Sequence, residues 1–458
     1  MKSNIQMKNS YQKLEDNFGI SRAVQLKMIN DLHTEMSSGL IGQKSSLRMM
    51  PSFAEPPKGN ETGKYLSLDF GGTNLRIAAT DLMGNGNVVE ICAEKKVIDK
   101  NVQAGSKENL FDFIAESLSD FIVKNDMNNS DDKLLGFTFS FPFEQLGLTS
   151  GKLLSWTKGF SVGGVVGEDV VKLLNESIAK KGIKNIKIVS LVNDTVGALA
   201  YGRYKNSGCD MSVILGTGTN AAYIEDVSKI KKYALGENLV GKMMVNTEWG
   251  NFSKLPRTAY DKKLDEATEN SGLNMMEKMV SAKYVAELVK IIFSDFVDRN
   301  IFSVKIDKQE QAASLFAAEN ISEVVGDNSP ELKFVEKELK SLGMNGTNLK
   351  DRILFKKICD DVMERSSQII ATMIVGVVLW MDPKFDKSHV VAIDGTLYEK
   401  ASGYKKSLMK NVDNLLGNNA GKIALILSKD GSGMGAAITG ATRGGVSDAK
   451  ISRKLSAI

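Results

Sequence analysis

The sequence predicts an α/β protein made of two similar lobes, and three observations support this fold class. Strand and helix patterns alternate between residues 109 and 192, as they do in βαβ units. Two β-hairpins, at residues 64–80 and 211–225, each turn through glycine, threonine and asparagine. The C-terminal part returns to the alternation of strands and helices from residue 389. The repeated hairpin indicates an internal duplication in which two lobes hold one ligand between them.

Hydrophobic periodicity defines the elements in chain order. Apolar residues at helical spacing predict an amphipathic helix over residues 11–40, which ends near Gly39. A third strand at residues 88–98 continues the first hairpin. The other predicted elements are helices at 109–124, 168–180, 275–298, 351–381 and 403–416, more than one charged helix around 309–342, strands at 134–141, 186–192, 389–394 and 423–427, and a last helix.

The composition is that of an ordinary soluble globular protein. The chain has 458 residues, 42% apolar and 25% charged, and a net charge of +4, which predicts two or three domains and gives no reason to expect a nucleic acid or a membrane as a partner. Three scattered cysteines fit neither a disulfide framework nor a zinc site, and they suit a reducing cytoplasm. The polar segment Met1–Gln12 lacks the apolar core of a signal peptide. The longest apolar run, Ile369–Met381, is too short to span a bilayer comfortably and predicts a buried core helix.

The first hairpin contains a candidate phosphate site. Its first strand ends in Asp69, and Gly71 and Gly72 then allow the backbone to turn and to approach a ligand closely. Amide groups bared by such a turn can face phosphate oxygens. The turn alone is equally typical of an ordinary glycine-rich hairpin, because P-loop and dinucleotide motifs need a helix after the glycines. The second hairpin repeats the turn at residues 216–220, without a carboxylate at the end of its strand.

Another apolar strand, at residues 186–192, ends in Asn193 and Asp194 and precedes a helix of small residues. The carboxylate can cap this helix or act as a base at the end of a buried strand, and the segment alone leaves both interpretations open. Neither of the two histidines, His33 and His389, lies in a triad-like pattern. A carboxylate is therefore the more natural general base.

Polar and aromatic residues cluster in three further segments. Ser140 follows a predicted strand, Thr157 and Lys158 follow a tryptophan, and Glu248 precedes one. Glu277 lies in a predicted helix, where by itself it would be an exposed carboxylate. Together these segments supply the hydroxyls, carboxylates and aromatic rings that bind a polyhydroxyl ligand such as a sugar, since every sugar hydroxyl needs a paired donor or acceptor.

A glycine-rich segment at residues 430–435 follows the last predicted strand. It could open a dinucleotide-binding unit, but its third glycine comes one residue early and too few residues follow for a second strand. A helix N-terminus there could still hold a nucleotide phosphate.

Taken together, the motifs resemble the hexokinase family of the eukaryotic type, including glucokinases, from about residue 25 to residue 440. The matching segments are LDFGGTNLRI at 68–77, FSFPFEQ at 139–145, LLSWTKGF at 153–160, VNDTVGALA at 192–200, GTGTNAAYIE at 216–225, VNTEWGNF at 245–252, IDGTLY at 393–398 and DGSGMGAA at 430–437. The resemblance implies an actin-like (ribonuclease H-like) duplicated fold with two lobes around a central cleft. It also implies phosphoryl transfer from Mg-ATP to the 6-hydroxyl of glucose and related hexoses, including mannose and fructose, as the first step of glycolysis.

The resemblance further implies the roles of individual residues. Asp194 becomes the catalytic base, with Lys158 as a second catalytic residue. The sugar site then contains Ser140, Thr157, Lys158, Asn193, Asp194, Asn220, Glu248 and Glu277. The ATP site contains Asp69, Gly71, Gly72, Thr73, Asn74, Arg76 and Thr217, with Thr396 and Ser432 on the adenosine side. Mg²⁺ is carried with ATP, and Asp69 reaches it through water.

By the same resemblance, the smaller lobe comprises residues 61–192 and about 438–458, and the larger lobe comprises 1–60 and 193–437. The chain is expected to act as a monomer or a homodimer.

Two positions depart from the family, because Met434 replaces a basic residue and Asn274 replaces a frequent glutamine. The alternative function is a catalytically weak sensor that binds hexose. The complete phosphate motifs and Asp194 favour the enzyme over the sensor.

Overall fold

The computed structural model describes residues 12, 14–127, 131–232, 241–306, 316–429 and 431–442. The strands are β1 (Met50–Pro51), β2 (Thr62–Phe70), β3 (Asn74–Gly84), β4 (Asn87–Val97), β5 (Lys133–Phe139), β6 (Phe143–Gly147), β7 (Ser150–Leu153), β8 (Ile186–Val192), β9 (Cys209–Leu215), β10 (Thr219–Asp226), β11 (Lys242–Asn246), β12 (His389–Asp394) and β13 (Ile423–Leu427). The helices are α1 (Arg22–Leu40), α2 (Lys100–Gln103), α3 (Lys107–Lys124), α4 (Val170–Lys180), α5 (Asp194–Lys205), α6 (Ala259–Glu266), α7 (Met275–Val280), α8 (Ala282–Asp298), α9 (Ala318–Gly326), α10 (Lys333–Ser341), α11 (Leu349–Met381), α12 (Thr396–Lys400), α13 (Tyr404–Leu416) and α14 (Gly431–Ala441).

The chain forms nearly the same sheet twice. The first sheet has the strand order β4-β3-β2-β5-β8, and the second has the order β1-β11-β10-β9-β12-β13. In each sheet three consecutive strands pair antiparallel, and two later strands continue the sheet in parallel. The short strand β1 only extends the edge of the second sheet. This repeat confirms the predicted duplicated α/β fold of the actin-like type.

Two predicted helices are each interrupted. The helix predicted over residues 11–40 breaks after residue 18, and α1 begins anew after Ser21, whose side chain caps it. The helix predicted over 275–298 breaks at Ser281, where the backbone is extended. The physical reason is a competing bond, since the amide of Ala282 donates to the carbonyl of Gly216 at 2.9 Å. The polar residues 1–11, the start of the helix predicted at 309, Asp430 and the residues from 443 onward lie outside the described part of the chain.

Some short elements have too little periodicity for the sequence to predict them. The hairpin of β6 and β7, the strand β11 and the helix α6 are of this kind. By contrast, β8, β12 and β13 begin and end at the predicted residues, because each contains a short run of apolar residues that periodicity detects.

The described residues form three apolar clusters. The largest surrounds α11 and the second sheet, and the next lies between the first sheet and the helices α3 and α4. The third contains residues of both sheets together with α5 and α14. By length and composition α11 could cross a membrane, but 83% of its most apolar window is buried inside the protein, which is the pattern of a core helix and agrees with the prediction for Ile369–Met381.

Helices α5 and α14 cross at very short range. A Cβ atom on Gly435 would lie 1.8 Å from the carbonyl oxygen of Gly197, and one on Gly197 would lie 2.3 Å from the carbonyl oxygen of Ser432. Two hydroxyls fasten α14 to the first sheet, because Thr138 donates to the carbonyl of Ser432 at 3.0 Å and Ser190 donates to that of Ala436 at 2.7 Å. Only glycine can occupy the crossing without moving one helix.

This crossing predicts the effect of Gly435→Ala. In an open helix the change stabilises by up to about 1 kcal/mol, but here the methyl group overlaps backbone atoms, so we expect a loss of about 1–3 kcal/mol in the free energy of unfolding. The measurement is urea denaturation followed by circular dichroism.

A matched control is Gly163→Ala, because a Cβ atom there meets nothing within 4 Å. Its stability should stay within about 0.5 kcal/mol of the parent. A Gly435→Ala protein as stable as the parent would show that the helices do not cross this closely.

Candidate active site

The turn between β2 and β3 carries the predicted phosphate motif. Asp69 stands near the end of β2, and the amide of Gly71 donates to the carbonyl of Asn74 at 3.1 Å, which closes the turn. The side-chain amide of Asn74 donates to the hydroxyl of Thr73 at 2.7 Å. Arg76 on β3 forms an ion pair with Glu90 on β4.

Asp69 is joined to the C-terminal helix. The hydroxyl of Ser432 donates to Oδ2 of Asp69 at 2.6 Å. Ser432, expected on the adenosine side, therefore contacts the phosphate motif, because α14 begins beside the end of β2. Burial and then repulsion from Asp194 raise the pKa of Asp69, although the bond from Ser432 opposes them.

The second glycine turn lies between β9 and β10. The amide of Gly216 donates to the carbonyl of Gly218 at 3.0 Å, and the side chain of Thr217 is exposed. Thr396 begins α12 close by, since a Cβ atom on Gly216 would lie 4.0 Å from its amide nitrogen. The structure thus brings Thr217 and Thr396 to the same place.

Asn193 and Asp194 share the start of α5. Asn193 is the N-cap, and its side chain accepts a bond from the amide of Thr195. Asp194 is the first helical residue, and its Oδ1 accepts from the amide and the hydroxyl of Thr195 at 2.7 and 3.1 Å. Among the described residues no donor reaches its Oδ2. Capping thus falls to Asn193, which leaves one oxygen of Asp194 able to accept a proton.

Glu248 follows β11 in a left-handed backbone conformation, with φ of 54°. Its Oε1 accepts from the side-chain amides of Asn246 at 2.8 Å and of Asn220 at 3.2 Å. Burial raises the pKa of Glu248, the bond from Asn246 and the charge of Arg48 lower it, and the nearby carboxylate of Asp194 raises it further.

Glu277 on α7 is bonded to the second glycine turn. Its Oε2 accepts from the amide of Thr219 at 3.0 Å, and its Oε1 accepts from the side-chain amide of Asn274 at 3.2 Å. A Cβ atom on Gly218 would lie 2.5 Å from Oε2, so this turn needs glycine to admit the carboxylate. Burial raises the pKa of Glu277.

Thr157 and Lys158 lie in an exposed loop between β7 and α4. The ammonium group of Lys158 donates to the carbonyl of Ser140 at 2.7 Å, and its stem covers Gly72, where a Cβ atom would lie 2.9 Å from Cδ. Buried aromatic rings anchor the loop, since Trp156 packs edge-on against Phe141 with centroids 4.9 Å apart.

Electrostatic neighbours show which predicted residues converge. Asp194 lies close enough to Asp69 and Glu248 to raise the pKa of each, and Lys158 lies close enough to Asp69 and Glu277 to lower the pKa of each. The structure therefore gathers these five side chains around one space between the two glycine turns. Arg76 stays paired with Glu90 at the edge of this group.

Sequence reasoning missed three residues that hold the predicted ones in place. They are Thr195, which bonds Asp194, Thr219, which bonds Glu277, and Asn246, which bonds both Asn220 and Glu248. In the segment with Asn246 the sequence pattern singles out only the glutamate, because the periodicity there does not predict β11. Recognising that strand would have placed Asn246 opposite β10.

Comparisons with known proteins agree with this site. Two family models described as Hexokinase match residues 10–204 and 210–442. Hexokinase-1 of Spinacia oleracea is 36% identical over 447 residues, which cover 94% of this chain and 90% of that protein. Hexokinase-5 of Oryza sativa subsp. japonica is 38% identical over 440 residues, which cover 91% of this chain and 86% of that protein.

Solved structures show the same similarity. A hexokinase from Schistosoma mansoni complexed with glucose has a TM-score of 0.83 at 32% identity, covering 95% of this chain and 99% of that chain. Another solved hexokinase has a TM-score of 0.79 at 29% identity, with the same coverage. The chain therefore belongs to the hexokinase family and is an enzyme that phosphorylates a hexose with ATP.

Proposed function

We propose that this hexokinase transfers the γ-phosphoryl group of Mg-ATP to the 6-hydroxyl of glucose, and of related hexoses such as mannose and fructose. The observation that carries the proposal is the gathering of Asp69, Asp194, Glu248 and Glu277 between two glycine turns. Carboxylates accept hydrogen bonds from sugar hydroxyls, and the turns offer amides to phosphates. The glucose complex of the Schistosoma mansoni relative supports glucose as a substrate.

The sugar side is assigned to residues that surround the acids. Glu248, Glu277 and Asn220 would accept from or donate to the ring hydroxyls. Asn193, Ser140, Thr157 and Lys158 would complete the site from the smaller lobe and from the start of α5. The exposed loop of Thr157 and Lys158 is the part that would close over the sugar, since substrate-driven closure assembles the site only for a substrate that fills it.

The proton transfer is assigned to Asp194. As the 6-oxygen bonds to the γ-phosphorus, its proton passes to the free Oδ2 of Asp194, and the bond from phosphorus to the bridging oxygen breaks to release ADP. The bonds from Thr195 hold Oδ1, so the oxygen that faces away from the helix takes the proton. Lys158 would offset the negative charge that spreads over the phosphoryl oxygens in the transition state.

The ATP side is assigned to both turns. Asp69, Gly71, Gly72, Thr73, Asn74 and Arg76 would form one phosphate wall, Thr217 the other, and Thr396 and Ser432 the end toward adenosine. Within the described residues no group of three or more histidine, cysteine or acidic side chains could hold a metal ion. A single carboxylate together with substrate phosphates is nevertheless a usual Mg²⁺ site, and Asp69 fits it. Bound Mg²⁺ would supply neutralisation of phosphate charge.

We further propose where the lobes divide and where the enzyme acts. The boundary expected at residue 437 falls inside α14, and because a helix moves as one unit we place it at Gly431 instead, with residues 61–192 as the main part of the smaller lobe. We expect a cytoplasmic monomer or homodimer without nucleic-acid or membrane partners. Nothing in the site favours a hexose sensor.

The first test measures ADP formation from Mg-ATP with glucose, mannose, fructose, galactose, glucosamine or no sugar. We expect turnover with glucose and at least about 10²-fold less ADP without sugar, because water cannot assemble the site. Tight glucose binding without ADP formation would replace the kinase with the sensor.

The second test is Asp194→Asn. Loss of the general base should lower kcat at least about 10²-fold, while the glucose dissociation constant, measured by calorimetry, stays within about tenfold. A matched control is Asp169→Asn, because Asp169 also stands at the start of a helix, where it caps the helix and accepts a bond from Ser150, which lies outside the assigned site. Its kcat should be unchanged. Full turnover by the Asp194 variant would remove it from the mechanism.

The third test is Glu248→Ala. Unpaired sugar hydroxyls should weaken glucose binding about tenfold or more. Burial raises the pKa of Glu248. In the parent its carboxylate is fully ionised above that pKa, so glucose affinity falls as the pH drops through it. The variant should lack the part of this fall that Glu248 causes, while the part caused by Glu277 remains.

Calorimetry from pH 5 to 8 measures both effects. The control is Glu338→Ala, since Glu338 is also buried and has a raised pKa but lies on α10. An equal loss of affinity in both variants would contradict the role of Glu248.

A further inference from the structure

Asn246 is the last residue of β11, and its side chain is buried behind the sugar site. It pairs with Ala222 of β10. Because side chains alternate along a strand, Asn220 lies on the same face of the sheet as Ala222, diagonally opposite Asn246. Ala222 itself packs in the cluster that contains α5, so this face looks toward the helix that carries Asp194.

The side chain of Asn246 contacts both of the residues assigned to the sugar. Its Nδ2 donates to Oε1 of Glu248 at 2.8 Å, and its Oδ1 accepts from Nδ2 of Asn220 at 2.9 Å. The same Oδ1 accepts from the backbone amide of Glu248 at 3.3 Å, beside the left-handed turn of that residue. One amide group therefore fixes the carboxylate, its backbone and the neighbouring asparagine.

Chemistry fixes the orientation of all three groups. An ionised carboxylate only accepts hydrogen bonds, so Asn246 must point its NH₂ group at Glu248 and its oxygen at Asn220. Asn220 then directs one N–H at Asn246 and the other at Oε1 of Glu248. As a result Oε1 is occupied by two donors, while no donor among the described residues reaches Oε2.

We propose that Asn246 is a positioning residue for hexose binding, which holds Oε1 of Glu248 and so aims its Oε2 at a sugar hydroxyl. The proposal rests on the proposed function, in which Glu248 and Asn220 bind the sugar. Asn246 does not touch the sugar, because Glu248 and Asn220 stand between them. Its removal acts through Glu248, so the effects fall on the sugar and on the pH profile.

The first variant is Asn246→Ala, assayed by steady-state kinetics. We expect the KM for glucose to rise about tenfold and kcat to fall less than about threefold, with the KM for ATP unchanged within about twofold. Without the amide donor, the pKa of Glu248 rises, since Arg48 is then the attractive charge facing it while Asp194 and Glu277 repel. The acidic limb of kcat/KM for glucose should therefore move up by about one pH unit.

The second variant is Asn246→Asp, which keeps the size of the side chain. Above both pKa values two carboxylates face each other, so glucose binding should be weaker than in Asn246→Ala. As the pH falls, a proton shared between the two groups replaces the lost amide hydrogen bond. Relative to the parent, this variant should therefore improve toward acid, whereas Asn246→Ala should worsen. A merely structural role predicts no such opposite trends.

The control is Thr247→Val, because among the described residues the hydroxyl of the neighbouring Thr247 bonds only the carbonyl of Ala221. Its KM for glucose should stay within about twofold. In the Glu248→Ala background, Asn246→Ala should have much less effect on glucose binding than in the parent, because only its contact with Asn220 then remains.

Each remaining outcome decides the proposal. Suppose that Asn246→Ala leaves the KM for glucose and the acidic limb unchanged, while Glu248→Ala loses glucose binding. This result overturns the inference about Asn246 but supports the assignment of Glu248 to the sugar site. Unchanged glucose binding in Glu248→Ala overturns the sugar site itself. If neither Asn246 variant folds, as judged by thermal unfolding, Asn246 serves the fold and the inference is overturned.

Discussion

The active site depends on how closely α5 and α14 cross. Each of these helices follows the last strand of its own sheet, so the duplication places them in equivalent positions. Gly197 and Gly435 let their backbones touch, and both helices therefore begin at the same end of the crossing. Asp194 opens one helix, and Ser432 near the start of the other bonds Asp69. A wider crossing would separate the proposed base from the phosphate turn, because each is tied to its own helix.

The carboxylates of the site lie close together, and their negative charges are unfavourable there. Burial raises the pKa values of Asp69, Glu248 and Glu277, since charge is costly to remove from water. Each carboxylate keeps at least one bond from an amide or a hydroxyl, which offsets part of that cost. Among the five gathered side chains, four carboxylates face the one ammonium group of Lys158. In the proposed reaction, Mg²⁺ would supply further positive charge and sugar hydroxyls would supply hydrogen-bond donors to these carboxylates.

The sequence was informative where the signal is local. A glycine turn after a strand located Asp69 and Thr217, and a polar pair at the end of an apolar run located Asn193 and Asp194. It was uninformative where distant segments meet. The bond from Ser432 to Asp69 joins residues 363 positions apart, and the break at Ser281 results from an amide that bonds a turn in another element. The sequence did not indicate Asn246 as a site residue, because the proposed role depends on the pairing of β10 with β11. Such pairing leaves no pattern in a single short segment.

Residues assigned to the sugar contact both of the glycine turns assigned to ATP. Glu277 bonds the amide of Thr219 in the second turn, and Gly218 lacks a side chain so that this carboxylate can fit. Lys158 lies across Gly72 in the first turn in the same manner. If a hexose binds Glu277 and Lys158, as proposed, its binding would therefore act on the two turns assigned to ATP. Water is too small to contact both groups at once. It therefore cannot supply the binding energy that assembles the two turns. The contacts between sugar residues and glycine turns thus give a structural reason why phosphoryl transfer should wait for the sugar.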